Sequence, residues 1–399
     1  MGEIIKIWFK ELKNLLGDGG TIMLFFIAII IYPVLYSLAY NNELAKDVPI
    51  IVVDENRSDL SRKLIQMIDA TDEVHVLQKS YDFHTAQILF DEAKIYGIIH
   101  IPEDFDRKIL HFEPAVVSVY ADATYMIIYK QILTAANYSI GTLSAGIEIQ
   151  RRMAKGQALE VAYYERDPLP LQVYSLYNPK GGYATYVLPA VLLLILQQTL
   201  LLGIGLLGGT IREKGMTHYL VPIGLRRGGS SLIVLGKSLA YFTVYMFNAL
   251  FVLVIIFRIF GLPMRAPYTQ VFVFVVPFLL AVIYMGMSIA ALFKSRESSM
   301  MILLFTSIPF IFLSGFSWPI QSMPLWQQYF SELIPSTPAI RGFIALSQKG
   351  APFSDVFFHW QHLWLLVVGY FILASVLMKR IIRKVGKEKP EIYAGGSRI

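Results

Sequence analysis

Residues 21–40 read TIMLFFIAIIIYPVLYSLAY, a stretch of 20 residues without a single charge. A helix of about 20 apolar residues is what crosses the roughly 30 Å hydrocarbon core of a bilayer. About 140 mostly polar residues follow, and five more apolar stretches then lie between residues 183 and 378. This order predicts a membrane α-helical bundle with six transmembrane helices and an α/β extracytoplasmic domain inserted between the first and second spans.

The composition agrees with this class. The chain of 399 residues is 55% hydrophobic and only 16% charged, which lies outside the usual balance of a soluble domain. It contains no cysteine, so disulfide frameworks, thiolate metal sites and cysteine nucleophiles are excluded. The net charge of +6 comes from basic residues beside the apolar stretches. Membrane topology, rather than binding of nucleic acid, therefore explains the basicity.

The apolar stretches define the domain organisation. The predicted spans are residues 21–40, 183–207, 238–257, 271–293, 299–317 and 356–378. We expect the first to be retained, since no small-residue cleavage site follows it. The predicted domains are an amphipathic elbow helix at 1–17, the first transmembrane helix at 18–40, the α/β domain at 41–180, a five-helix region at 181–380 and a basic tail at 381–399.

Lys and Arg in short loops predict the orientation, because they concentrate on the cytoplasmic side. The loops after the second and fourth spans and the tail are rich in them: Arg212, Lys214, Arg226, Arg227, Lys237, Lys294, Arg296, Lys379, Arg380, Arg383, Lys384, Lys387 and Lys389. The opposite connections carry only Arg258, Arg265, Arg341 and Lys349. Both termini are therefore predicted to be cytoplasmic, and residues 41–180 to be outside.

The N-terminal residues have the pattern of an amphipathic helix. Apolar side chains recur at helical spacing at Ile4, Trp8, Leu12 and Leu15, while Lys6, Lys10 and Lys13 point away from them. Such a helix is expected to lie on the inner membrane surface, where its cations meet anionic lipid. Two functions fit this pattern: a plain anchor, or an elbow that touches a cytoplasmic partner.

The polar region between the first two spans alternates short strand and helix patterns, which predicts a small α/β domain. The predicted strands are 48–53, 73–77, 96–101 and 115–120, and the predicted helices 58–70, 82–93, 103–110 and 123–154. Residues 54–59 resemble a calcium loop but lack its Gly and its bidentate Glu. They are interpreted as a turn capped by Ser58 or Asp59. The four histidines of this region have no metal-ligand spacing, so no metal site is predicted.

No internal source of energy is visible in the sequence. The Gly236-Lys237-Ser238 triplet lacks the first Gly of a phosphate-binding loop and runs directly into a membrane span, so this chain is not expected to hydrolyse ATP. The predicted spans contain no Asp or Glu, and buried carboxylates are the usual relays of ion-driven transport. A partner protein would therefore have to supply the energy.

The loop after the second span reads IREKGMTHYLVP over residues 211–222. It resembles the coupling segment of ABC exporter permeases of the type 2 class, in which an Arg-Glu-x-Gly turn precedes a proline-containing stretch; Lys214 departs from the common turn. The resemblance extends over nearly the whole chain, through 53–58, 97–105, Tyr177-Asn178-Pro179, 314–319 with Pro324, and 335–338.

The resemblance implies a permease subunit of an exporter that moves a hydrophobic or amphipathic substrate outward, as in multidrug efflux. It implies pairing with a second permease subunit in a bacterial inner membrane and a separate ABC ATPase subunit that holds ATP and Mg, with no cofactor in this chain. An outer adaptor protein is left open, and no nucleic acid is implied.

Three groups of site residues follow from the resemblance. The ATPase-coupling group lies in loop 211–231: Arg212, Glu213, Lys214, Gly215, Thr217, Tyr219, Leu220 and Pro222. The substrate-path group is Tyr32, Tyr36, Gln197 and Gln198, although an interfacial aromatic belt or helix packing would equally explain these side chains. The outer-gate group, in a re-entrant segment at 318–338, is Gly315, Trp318, Pro319 and Pro324, since the prolines prevent one continuous helix.

Two functions of other classes remain open from the residues alone. One is a membrane-anchored receptor or assembly factor with an extracytoplasmic binding domain. The other is an intramembrane enzyme such as a lipid transferase, which should show acidic or histidine clusters at the interface; none is convincing.

Overall fold

The computed structural model describes residues 2–293 and 295–388. Lys294 and Lys389, used above for orientation, and the rest of the tail at 390–399 lie outside the described residues. The chain forms two compact units, one of them Asn42–Tyr174 and the other the remainder. In the described part, six helices are long and apolar enough to cross a membrane, in the order Gly19–Ala39, Tyr183–Glu213, Gly229–Ile259, Tyr268–Ala290, Arg296–Leu313 and Phe353–Lys387. These are the first to sixth spans below.

The six predicted spans are confirmed in number and order, but several helices are longer than predicted. The third begins at Gly229 rather than at residue 238, and the sixth continues to Lys387 rather than ending at 378. A window of apolar residues detects only the part of a helix that matches hydrocarbon, whereas the backbone hydrogen bonds continue into polar turns.

The second and fourth spans form the centre of the helical unit. Buried residues make up 78% of the apolar window of the second span and 72% of that of the fourth, against 28% for the first and 17% for the fifth. A helix that is apolar on all sides is buried or faces lipid. The outer spans therefore present apolar surfaces for lipid or a partner, and the inner two provide the packing core.

Two spans contain a π-helical turn, Met23–Ala28 in the first and Phe251–Ile256 in the third. Such turns displace backbone carbonyls from the regular ladder, and a polar group inside a bilayer needs a partner. The Asn248 side-chain amide donates to the carbonyl oxygen of Phe25 at 2.9 Å. The Phe25 ring lies against Gly203, where an added Cβ would be 1.8 Å from a ring carbon, so the first span packs closely on the second.

The chain after the fifth span is broken into short helices, as its prolines predict. A 3₁₀ turn at Ile320–Ser322 and a helix at Leu325–Ser331 precede the helix Ser336–Ser347. The last of these is largely buried and packs against the second, fourth and sixth spans. The segment thus consists of an exposed first part and a buried second part.

The unit Asn42–Tyr174 is an α/β fold. Its strands are β1 (Val48–Asp54), β2 (Val74–Ser80), β3 (Gly97–Ile101) and β4 (Ser118–Ala121), in the sheet order β2-β1-β3-β4. The first three are parallel and β4 is antiparallel to β3. The helices are Asp59–Asp69, Phe83–Asp91, Phe105–Leu110, Met126–Ala154 and Leu159–Arg166. This confirms the predicted alternation of strands and helices, with β4 shorter than expected.

Side-chain caps begin two of these helices. The Ser58 hydroxyl accepts from the Ser61 amide at 3.1 Å, and the Asp82 carboxylate accepts from the Thr85 amide at 3.0 Å. Buried Asp54 accepts from the Arg57 amide at 3.0 Å and from the Ser61 hydroxyl at 2.8 Å. Residues 54–59 therefore form the capped turn that was expected, and Ser58 is the capping residue.

Candidate functional site: the loop between the second and third spans

The loop runs from the end of the second span at Glu213 to the start of the third at Gly229. It contains a 3₁₀ turn at His218–Leu220 and a single helical turn at Val221–Gly224. Gly215 has a φ of +62° and Gly228 a φ of +75°. Only glycine adopts this conformation without strain, so a glycine reverses the chain on each side of the loop.

The residues predicted to couple to an ATPase divide into two faces. Lys214, Gly215 and Pro222, together with His218, are exposed. Leu220 is buried, and Thr217 and Tyr219 are half-buried, packed towards the helices. The exposed tip is available to a partner while the other face holds the loop in place.

An apolar cluster fixes the back of the loop. Leu220 and Val221 pack with Ile7 of the N-terminal helix, Ile233 of the third span and Ile382 of the sixth. An added Cβ on Gly224 would lie 2.2 Å from Ile382, so the loop and the sixth helix approach closely. A displacement of the loop would therefore act on three helices at once.

The N-terminal helix Gly2–Leu16 has three faces. Ile7, Glu11 and Leu15 are buried, at i, i+4 and i+8, and pack along the third span. A second face is apolar and exposed, at Ile5, Phe9 and Leu16. The lysines lie on the remaining face: Lys6, Lys10 and Lys13. The sequence predicts the apolar and basic sides of this helix but not the face that contacts protein.

Two polar contacts join this helix to the loop. The Lys10 ammonium lies 3.4 Å from the centroid of the Tyr219 ring, a cation–π geometry. Arg226 forms an ion pair with Glu3 at 2.6 Å. Burial, followed by the charge of Glu11, raises the pKa of the Tyr219 phenol, so its hydroxyl stays protonated.

A buried ion pair, missed by the sequence analysis, locks the N-terminal helix to the third span. Both Glu11 carboxylate oxygens accept from the Lys237 ammonium, at 2.8 and 2.9 Å, and one also accepts from the Tyr241 hydroxyl at 2.5 Å. Glu11 is fully buried and the Lys237 side chain is 9% exposed. The available signal was the position of Glu11, in line with Ile7 and Leu15 on an otherwise apolar stripe.

A second polar network ties the start of the loop to the first and fifth spans. The Glu213 carboxylate accepts from the Arg296 amide at 2.8 Å, and the Arg212 guanidinium donates to the Phe293 carbonyl. The Arg296 guanidinium forms an ion pair with Asp18 at 3.2 Å. Arg212 and Glu213, predicted to couple to an ATPase, therefore bind backbone groups at Phe293 and Arg296, and Glu213 is also exposed.

The predicted substrate-path residues do not form one site. Gln197 is fully buried; its oxygen accepts from the Ser336 amide at 2.9 Å and its nitrogen donates to the Ser336 hydroxyl at 3.2 Å. It thus caps the helix Ser336–Ser347, in line with the helix-packing alternative. The amide of Gln198 is buried without a hydrogen-bond partner among the described residues. Tyr32 and Tyr36 are exposed on the first span.

The predicted outer-gate residues follow the C-terminal end of the fifth span at Leu313. Gly315 has a φ of +77°, and an added Cβ would lie 2.5 Å from Ile320. Trp318, Pro319 and Pro324 are exposed. The turn is held to the second span through the Tyr186 hydroxyl, which donates to the Phe316 carbonyl at 2.9 Å.

The segment that follows the gate residues is anchored by charge. Glu332 pairs with Arg341 and with His362, the latter at 3.3 Å. The Tyr370 hydroxyl donates to the Leu333 carbonyl at 2.7 Å. His362, in the first turns of the sixth span, therefore has a carboxylate as its partner.

The fold defines a multi-pass α-helical membrane protein with an α/β unit between its first two spans in the chain. A family model described as ABC-2 family transporter protein matches residues 20–376. The chain belongs to this family, which confirms the resemblance seen in the sequence.

Two of the relatives match along nearly the whole chain, and a third matches less than half of it. The probable multidrug ABC transporter permease YbhR of Escherichia coli K12 is 24% identical over 387 residues, which cover 94% of this chain and 97% of YbhR. The inner membrane transport permease YhhJ of the same organism is 23% identical over 392 residues, covering 95% and 98%. ABC transporter G family member 20 of Dictyostelium discoideum is 25% identical over 170 residues, covering 42% and 22%.

Proposed function

We propose that this chain is the membrane subunit of an ATP-driven exporter, and that the tip of the loop after the second span docks on a separate ATPase subunit that binds ATP and Mg. The observation that carries the proposal is the division of the loop: Lys214, Gly215, His218 and Pro222 face solvent, while its back is packed on three helices. A receptor or an anchor does not need an exposed turn that is braced in this way.

The contacts of the loop supply a route for mechanical force. A push on its tip would reach the third span through the N-terminal helix and the buried Glu11–Lys237 pair. It would reach the fifth and first spans through Glu213, Arg296 and Asp18. Close-packed and polar contacts transmit displacement better than loose ones. The loop can therefore move the first, third and fifth spans relative to the second and fourth, which form the centre of the helical unit.

The proposed orientation places both termini and the loop in the cytoplasm and the α/β unit Asn42–Tyr174 outside a bacterial inner membrane. The support is the excess of Lys and Arg at the end of the helical unit that carries the loop. The naming of YhhJ as an inner membrane transport permease agrees with this placement.

The proposed cargo is hydrophobic or amphipathic, and the proposed assembly pairs this chain with a second permease subunit. Gln198 supports a polar contact inside the membrane, because its buried amide has no partner within the described chain and such groups rarely face lipid. A substrate in the path or a second permease copy would satisfy it. The exposed faces of the first and fifth spans offer an apolar surface for a hydrophobic substrate or for a second permease subunit.

A single-cysteine cross-linking experiment tests the docking proposal, since the natural chain has no cysteine. His218→Cys places a thiol at the exposed tip, and Tyr164→Cys, at a residue that is 80% exposed in the α/β unit, is the matched control. A short membrane-permeant cross-linker with a maleimide at one end, which adds the thiol, and a photoactivated benzophenone at the other, which inserts into a C–H bond of the partner, is applied to native membranes. It should join the His218 variant, but not the Tyr164 variant, to an ABC ATPase subunit. Equal capture by both variants, or none by the tip, would contradict the proposal.

Reporter fusions test the orientation separately. A reporter after Lys155 should be extracytoplasmic, and one after Arg227 cytoplasmic. Inversion of this pattern would overturn the proposed topology without bearing on the family.

A further inference from the structure

A basic groove lies beside the end of the sixth helix. It has a volume of about 750 Å³ and is lined by Leu225, Arg380, Arg383, Lys384, Gly386 and Lys387. Four of these side chains are cationic. One wall is the last turns of the sixth helix and the other is the end of the loop after the second span.

The two walls of the groove are held together by close packing. Ile382 is buried, and it lies so near Gly224 that no Cβ would fit there. Arg380, Arg383 and Lys384 flank Ile382 and are exposed. The backbone of the loop and that of the sixth span are therefore held in contact beside these exposed side chains.

The side chains of residues 2–293 and 295–387 do not neutralise the cations of the groove. None of Arg380, Arg383, Lys384 and Lys387 forms an ion pair with a side chain in these two ranges. Arg226, which follows Leu225 directly, is paired with Glu3. The unpaired charge is thus concentrated in the groove, where it favours an anionic ligand.

The position of the groove along the sixth span favours a lipid headgroup as the anion. Met378 still packs against the apolar core of the bundle. At about 1.5 Å per helical residue, Arg380 and Lys384 lie roughly 3 to 9 Å beyond it. The headgroup layer extends roughly 5 to 7 Å beyond the hydrocarbon on each side. Leu225, which is 50% exposed in the groove, offers an apolar contact beside the charges.

We propose that this groove binds the phosphate headgroup of an anionic phospholipid of the cytoplasmic leaflet, with Leu225 against the first carbons of its chains. The bound lipid would fill the space between the sixth helix and the loop that moves during coupling. The inference rests on the proposed membrane orientation but not on the docking of an ATPase, so either can fail without the other.

The test uses the full chain in phosphatidylcholine nanodiscs. Leu225→Cys provides the single thiol of the chain and carries a bimane fluorophore. Quenching is measured with nitroxide-labelled phosphatidylglycerol and with nitroxide-labelled phosphatidylcholine at equal mole fractions. Phosphatidylglycerol should quench more strongly. Each cation near the membrane surface contributes about fivefold to the binding of an anionic lipid. Arg383→Gln with Lys384→Gln should therefore reduce the association constant of phosphatidylglycerol, relative to that of phosphatidylcholine, about 25-fold.

Two matched variants separate the groove from general surface charge. Lys6→Gln with Lys13→Gln removes the same charge from the N-terminal helix and should leave the preference unchanged. Arg383→Lys with Lys384→Arg keeps the charge of the groove and should also preserve it. An equal loss in the Lys6 and Lys13 variant would show a diffuse surface potential and overturn the proposal.

Three further outcomes would overturn it. Equal quenching by the two lipids would show that the groove does not select a headgroup. Relief of quenching by millimolar inorganic phosphate, at constant ionic strength, would identify a site for free phosphate. Loss of the preference once an ATPase subunit is bound would assign the groove to an acidic protein surface.

Discussion

The buried pair between Glu11 and Lys237 gives a sharp test of how the N-terminal helix is held. Glu11→Gln keeps the size of the side chain and removes its charge, so the Lys237 ammonium stays buried without a counterion. Breaking one partner of a buried pair costs about 3 to 5 kcal/mol. Because the Lys237 ammonium lies between the third span and the N-terminal helix that carries Glu11, this cost falls on the docking of that helix.

The expected magnitude is large enough to measure as local opening. A cost of about 3 kcal/mol raises the population of the detached helix by more than about 100-fold. Leu15, which is fully buried in the bundle core, provides the reporter. In a Leu15→Cys background, Glu11→Gln should accelerate maleimide labelling by about two orders of magnitude.

The control uses an exposed pair on the same helix. Glu3→Gln breaks the contact with Arg226, whose side chain is 66% exposed, and exposed pairs contribute at most about 1 kcal/mol. Its labelling should change by no more than about fivefold. Glu11→Leu combined with Lys237→Met should restore slow labelling, because an apolar pair replaces an ionic one without leaving a charge. If Glu11→Gln labels within about fivefold of the parent, the buried pair does not hold the helix.

Further predictions concern packing and pH. Gly203→Ala should displace the Phe25 ring, which would lie 1.8 Å from the new Cβ, and should destabilise the protein by about 1 to 3 kcal/mol in thermal unfolding. The control is Gly208→Ala on the same helix, whose new Cβ would lie 3.4 Å from the Ala290 Cβ and should leave the unfolding temperature unchanged. Hydrogen bonds from Thr85 lower the pKa of Asp82 below its usual 3.8, and a hydrogen bond from Lys108 lowers that of Asp104. A carboxylate whose pKa is lower in the folded state stabilises the fold at a pH above its usual pKa, and this stabilisation is lost as the pH falls through the lowered pKa. The helices that begin beside Asp82 and Asp104 should therefore be less protected from hydrogen exchange, normalised for intrinsic rate, at pH 3 than at pH 6. Equal protection at both values would contradict these roles.

The sequence was sufficient for the elements whose signal is local. The uncharged apolar run at residues 21–40 predicts a membrane span without reference to any other part of the chain. The alternation of strand and helix patterns between residues 48 and 121 likewise predicts the α/β unit. The prolines at 319 and 324 likewise predicted the broken chain after the fifth span, because proline removes a backbone donor wherever it occurs.

The contacts that build the candidate site are distant in the chain, and periodicity does not reveal them. Glu11 and Lys237 are 226 residues apart, and Gln197 and Ser336 are 139 apart. Each side chain could be recognised as polar in an apolar context, but the sequence alone does not specify its partner. Gln197 was for this reason equally compatible with a substrate path and with helix packing, and only the fold shows its contact with Ser336.

We expect the nucleotide state of an ATPase partner to change the structure at the C-terminal end of the fifth span, through the loop after the second span. Labelling of Trp318→Cys with a membrane-impermeant maleimide, in the complex with its ATPase, measures this directly. The rate should differ between the nucleotide-free and ATP-trapped states, and the difference should disappear when His218 is changed to Glu at the loop tip. Tyr164→Cys should label at one rate throughout. Identical labelling of Trp318→Cys in both nucleotide states would contradict coupling between the ATPase and the end of the fifth span.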